Sequence, residues 1–76
     1  MPRVRLRLRG QLADSVATGG EVFEVAEEVT LEAFLLEHGL GARHYVVMLN
    51  TTVGPDRTTV LKDGDLVTVY PQMAGG

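Results

Sequence analysis

Three patterns predict an α+β domain, a sheet packed on a single helix. Residues 3–9 alternate basic and apolar without a fault, Thr30 and Gly39 bracket a short amphipathic stretch, and the apolar runs 45–50 and 66–70 are flanked by turn residues. Period-two alternation marks a half-buried strand, apolar spacing of three and four marks a helix, and short apolar runs bounded by Gly, Pro, Asn or Asp mark further strands. A chain of 76 residues has room for one core and no second domain.

The first strand places Val4, Leu6 and Leu8 on one face and Arg3, Arg5, Arg7 and Arg9 on the other. Residues 10–17 are compatible with either a short helix or an irregular loop, because Leu12, Ala13 and Val16 have helical spacing, and Thr18-Gly19-Gly20 is a turn. Residues 21–25 form a second strand with Phe23 and Val25 on one face. Thr30 is the expected N-cap of a helix over residues 31–38; Leu31, Phe34 and Leu35 are its buried stripe, and Glu27, Glu28 and Glu32 lie near its positive end. Gly39 supplies the left-handed residue that ends it. Residues 45–50 are the next strand, Gly54-Pro55-Asp56 a turn, Val60-Leu61 core residues on a short strand or turn, and Asp63-Gly64-Asp65 the turn into the strand 66–70. A hairpin, a helix crossing back and further strands make the β-grasp, the ubiquitin-like fold, with four to five strands in a mixed sheet on one main helix. Residues 1–70 are expected to form this domain and residues 71–76 a flexible tail.

Composition narrows the function. The chain is 45% apolar with two Phe, two Tyr and no Trp, which points to an aliphatic core. It has no Cys, so neither a disulfide nor a thiolate metal site is available, in keeping with a reducing cytoplasm. No apolar run approaches the length of a membrane span, and the start, Met1-Pro2-Arg3-Val4-Arg5, lacks the apolar stretch of a secretory signal. A cytoplasmic protein without membrane partners is expected. The net charge of −3 disfavours a nucleic-acid binder, although four of the seven basic residues fall within the first nine positions.

The sequence closes on Ala74-Gly75-Gly76 directly behind the last strand. Without side chains, such a segment can enter a narrow channel and carry its main-chain carboxylate to a reactive centre. Three segments taken together resemble the MoaD/ThiS family of ubiquitin-like sulfur-carrier proteins: Val46-Val47-Met48-Leu49-Asn50, then Val60-Leu61-Lys62-Asp63-Gly64-Asp65-Leu66-Val67, and the end Tyr70-Pro71-Gln72-Met73-Ala74-Gly75-Gly76. The specific likeness falls within the span of about 30 residues from 46 to 76, and the element order extends it to the whole chain.

This resemblance implies a carrier rather than an enzyme, with no catalytic residues and no bound cofactor or metal. A ubiquitin-activating-type enzyme would use ATP to adenylate the carboxylate of Gly76. A sulfurtransferase persulfide would then displace AMP to leave a thiocarboxylate, and an acceptor enzyme such as a molybdopterin synthase large subunit would receive the sulfur. Activation is needed because a carboxylate is a poor electrophile until it gains a leaving group. Tyr70-Pro71 resembles the molybdopterin synthase small subunits and related cysteine-biosynthesis carriers more than thiazole-pathway carriers, and molybdopterin synthesis is placed first. The compact connection over residues 39–50, and Gln72 where many molybdopterin-type tails have Pro, keep the thiazole (thiamine), cysteine and tRNA-thiolation carriers open as alternatives. So does a ubiquitin-like protein modifier, in which activated Gly76 ends on a lysine amine.

Other features carry competing readings. If Val67 and Val69 point inward, then Leu66, Thr68 and Tyr70 face outward beside Pro71 and Met73, as a partner-docking patch or as plain edge packing. The face of Arg3, Arg5, Arg7 and Arg9 could track phosphates or dock an acidic partner as a small binding module. No aromatic residue is interleaved for base stacking, so a solvated face paired with Glu21 and Glu24 is the expectation. His38 and His44 lack further ligands for a metal, and His38 suits the helix C-terminus instead. Asp63-Gly64-Asp65 lacks the later ligands of a calcium loop and reads as a turn. Lys62 is the one lysine, exposed beside that turn.

Overall fold

A computed structural model describes residues 1–9, 20–41 and 45–70. The segment 10–19, His44 and the tail residues Pro71, Met73, Ala74, Gly75 and Gly76 lie outside the described residues. The elements are β1 (Arg3–Leu8), β2 (Glu21–Glu24), α1 (Leu31–Glu37), β3 (Val46–Leu49), β4 (Thr52–Val53) and β5 (Leu66–Tyr70). The sheet order is β2-β1-β5-β3-β4. β1 and β5 pair in parallel at its centre, and the remaining neighbours are antiparallel. A parallel pair cannot be joined by a tight turn, so the chain between its members crosses through α1. The expected β-grasp is therefore present, with five strands.

The inner sheet face contributes Val4, Leu6, Val47, Leu49, Val67 and Val69, and the helix contributes Leu31, Phe34 and Leu35, all buried. Val25, Leu40 and Leu61 close the ends of this cluster. The core is aliphatic except at one end, where the His38 ring lies 4.4 Å from Phe23 and 4.6 Å from Phe34, and the two phenyl rings meet edge-on at 6.2 Å. Such edge-on and tilted contacts suit the ring quadrupoles.

The helix is capped at both ends by its own sequence. Thr30 Oγ1 accepts the Ala33 N–H at 3.1 Å. The Leu31 and Glu32 N–H groups donate to the carbonyls of Thr59 and Arg57, so the strap over residues 57–61 satisfies donors that a helix start leaves orphaned. At the other end Gly39 has φ +73°, its N–H donates to Leu36 O, and the Leu40 N–H donates to Leu35 O at 2.7 Å. This double bond pattern is a Schellman cap, and it swings Leu40 into the core.

Four expectations are corrected. The helix ends at Glu37 with His38 as its cap residue, one position early. The short element between β3 and β5 lies at Thr52–Val53, not at Val60-Leu61. Leu61 is in the core, but Val60 is 42% exposed: it forms a single bridge with Thr30, and extended backbone that turns Leu61 inward must turn Val60 outward. Finally, Glu24 stands opposite Arg3 as expected, whereas Glu21 stands opposite Leu6, off the arginine face.

Candidate functional site

Directly opposed residues share a face, so the register reads out the outer side of the sheet. Arg5 lies between Val22 and Leu66; Arg7 lies beside Thr68, which is followed across the sheet by Met48 and Val53; Tyr70 lies beside Val46. The outer face thus has an apolar half on β5, β3 and β4 and a basic stripe on β1. Val53 and Val46 are 66% and 40% exposed, and Leu66, Met48 and Tyr70 are half-buried. This agrees with the expected orientation of Leu66 and Tyr70. Thr68 also faces outward as expected, but on the central strand it is only 6% exposed, since the longer Arg7 and Met48 flank it on both sides. It forms the floor of the patch rather than a contact on its surface.

Because β5 runs parallel to β1 and antiparallel to β3, its Tyr70 end coincides with the end of β1 and the start of β3. β5 therefore ends at the rim of this patch, with Val46 opposite Tyr70 on one side and Arg9, bonded to Val69, on the other.

Three of the residues that carried the family resemblance, Asn50, Asp63 and Asp65, prove to be structural. Asn50 adopts φ +56°, a left-handed conformation that Asn tolerates, and with Thr51 forms the two-residue connection from β3 to β4. Its side chain then reaches the turn before β5: Asn50 Nδ2 donates to Asp65 Oδ1 at 3.1 Å, and Asn50 Oδ1 accepts the Leu66 N–H at 2.9 Å. Asp65 Oδ2 accepts the Lys62 N–H at 2.8 Å, and Asp63 Oδ1 accepts the Arg3 N–H at 2.8 Å. The two carboxylates of Asp63-Gly64-Asp65 thus hold backbone donors, which accounts for the turn without a cation. Among the described residues no group of three or more His, Asp or Glu side chains could hold a metal ion.

Arg57 carries no sequence signal, and Asp56 is legible only as part of its turn. Arg57 Nη1 pairs with Glu32 Oε1 at 3.4 Å and donates to the Gly41 carbonyl at 3.3 Å, tying the strap to both ends of the helix. Asp56 caps the turn beneath it, accepting from the Thr58 hydroxyl at 2.6 Å and the Thr58 N–H at 2.9 Å. Those two bonds, the hydroxyl first, hold the Asp56 carboxyl below its ordinary pKa.

A β-grasp body whose last strand is followed in sequence by a short tail ending in Gly-Gly is the form of the ubiquitin-like carriers and modifiers as a class. Residues 6–76 match the model of the ThiS family, so the chain belongs to that family. No curated protein matches it. Among solved structures it is similar to SAMP1 from Haloferax volcanii (TM-score 0.78, 17% identity, covering 97% of this chain and 99% of that one), a likeness of fold alone. It is also similar to the Haloferax volcanii HVO 2177 protein (0.79, 25%, 99% and 87%). A third likeness is to a chain in the complex of subunits 1 and 2 of the molybdopterin-converting factor from Helicobacter pylori (0.62, 25%, 97% and 99%).

Proposed function

We propose that this protein is a sulfur carrier whose Gly76 carboxylate is adenylated, converted to a thiocarboxylate and used to donate sulfur in cofactor biosynthesis, with molybdopterin the first candidate product. The observation that carries the reading is the family match over residues 6–76, which runs through the tail. The likeness to a chain of a molybdopterin-converting factor supports the pathway, as does Tyr70-Pro71 ahead of the tail.

The chemistry belongs to the tail and the partners supply the catalysis. Attack of the Gly76 carboxylate on the α-phosphate of ATP expels pyrophosphate and leaves an acyl adenylate. The outer sulfur of an enzyme persulfide then displaces AMP to give an acyl disulfide, and a second thiol cleaves the S–S bond, releasing the thiocarboxylate and leaving a protein disulfide. Ala74, Gly75 and Gly76 make a slender arm that can enter two active sites in turn. The lack of Cys means that no thiol of this chain can capture the activated acyl group. Leu66 and Tyr70, over the floor that Thr68 forms, are assigned to partner docking, together with Pro71 and Met73 of the tail. The partners are an adenylating enzyme, a persulfide-bearing sulfurtransferase and an acceptor enzyme.

Intact-mass analysis after incubation with ATP, the adenylating enzyme of the same genome and a persulfide source tests this. The expected result is a mass gain equal to exchange of one oxygen for sulfur, localised to Gly76 by a thiol-selective probe. Deletion of Gly76, or Gly75→Val, should abolish the gain and leave the circular dichroism spectrum unchanged. Persistence of sulfur loading in either variant would overturn the mechanism. Amide-linked conjugates that survive reducing, denaturing conditions would instead identify a protein modifier.

A further inference from the structure

We propose that Arg7 and Arg9 form a cationic anchor for an acidic protein surface on the adenylating partner, seated beside the apolar patch at the end of the sheet from which the tail departs. The inference rests on the carrier reading above and adds the electrostatic half of the docking face.

The basic stripe is not uniform. At its start, Arg3 stands opposite Glu24, and Arg3 and Arg5 line a recess of about 300 Å³ together with Val22, Asp63, Gly64 and Asp65. Two guanidiniums and two carboxylates cancel there, so this end offers no net attraction to an anion. Arg7 differs. Its sheet neighbour on β5 is Thr68, and on the other side Gly20 approaches so closely that an added Cβ would come within 2.8 Å of Arg7 Cγ. Neither neighbour carries charge. Arg9 is exposed and continues the ladder, its N–H donating to the Val69 carbonyl at 3.0 Å. Among the described residues, positive charge with no carboxylate beside it in the sheet register therefore collects at the Tyr70 end.

Charge distribution then selects the occupant. The chain carries a net −3, with Glu27, Glu28, Glu32 and Glu37 on or beside the helix, so among the described residues the Tyr70 end of the outer sheet face, with Arg7 and Arg9, is a positive pole on a negatively charged molecule. An acidic protein surface is attracted to that pole and oriented by it, whereas a polyanion as large as RNA is repelled by the remainder. The neighbouring surface is aliphatic, namely Val46, Met48 and Val53, with Tyr70 the sole ring among these outer-face residues. Nucleic-acid faces on sheets depend on several stacking aromatics, while protein docking sites combine an apolar centre with a charged rim. An enzyme that draws Gly76 into its active site must cover the rim from which the chain leaves, and so must meet Arg7, Arg9 and Val46 together.

The test is ATP–pyrophosphate exchange by the purified adenylating enzyme of the same genome, with the full chain as varied substrate at several salt concentrations. The wild-type KM should rise steeply with salt. The R7E/R9E variant should raise KM about tenfold at low salt with kcat nearly unchanged and a flattened salt dependence, because charges at a docking rim act on encounter. The exposed R9E alone should move KM roughly threefold in the same direction, which keeps the test decisive if R7E disturbs folding. R7K/R9K should restore most of the effect, and Val46→Asp should raise KM without flattening the salt response. An unchanged KM and salt slope in R7E/R9E, with wild-type exchange intact, would overturn the anchor and leave the carrier reading standing. Absence of exchange with the wild-type chain would overturn both. Loss of binding to unfractionated tRNA, or a changed sedimentation coefficient of the free chain, with KM unmoved, would assign the arginines to RNA or to a second copy instead.

Discussion

Asn50 shows how much one residue can hold. Its backbone takes the left-handed turn out of β3, and its side-chain amide bridges Asp65 and the Leu66 N–H, 16 residues on. Asn50→Ala loses both contributions and should cost about 1–3 kcal/mol in urea unfolding. Asn50→Gly keeps the turn and loses only the side-chain bonds, so it should cost less; equal losses would show that the left-handed backbone contributes nothing. Asp56 is a second local device. Because its carboxyl is held below its ordinary pKa, the stabilisation it brings is complete above the unfolded-state pKa and is lost as pH falls through the folded one. An NMR titration should find Asp56 below the usual carboxylate range, and Thr58→Val, which removes the hydroxyl donor, should move it up.

At the level of elements, the parts with strong local signals were legible in the sequence. Thr30 and Gly39 mark the helix because cap chemistry is local: an Oγ that accepts an N–H three residues on, and a residue free to adopt positive φ. The alternation of β1 survives unchanged. What sequence pattern missed was β4, two residues long and polar enough to pass for a loop, and the orientation of Val60. A two-residue strand has no periodicity to read, and an apolar pair such as Val60-Leu61 does not say which member points inward. The structure separates them. Leu61→Ala should cost about 2–5 kcal/mol as a core truncation, while Val60→Asp should stay within about 0.5 kcal/mol. Comparable losses in thermal unfolding would contradict the assignment of Val60 to the surface.

Across the whole molecule, the fold separates two tasks. The inner sheet face and α1 form the core, and the outer face, relieved of that duty, can present apolar and basic residues side by side. No described helix is long and apolar enough to cross a membrane. The parallel pairing of β1 and β5 sets the functional geometry, because it brings the arginines near the start of the chain to the strand that leads to its end. The candidate site was legible as a set of residues, including Leu66, Tyr70 and the basic stripe, but not as a surface. Thr68 reads from sequence as an outward contact, which its neighbours reduce to a floor, and the cancellation of Arg3 and Arg5 by Glu24, Asp63 and Asp65 joins residues up to 62 positions apart.

The sequence by itself determined the elements with local codes, the β-grasp order, the family and the slender Gly-Gly tail, because caps, alternation and turn residues act over a few positions. Tertiary structure alone decided which strands touch, which of two adjacent apolar residues is buried, and which arginines of the described residues stand beside carboxylates. Those outcomes depend on register between strands distant in the chain, and register is set by the packing of the whole core rather than by any one segment.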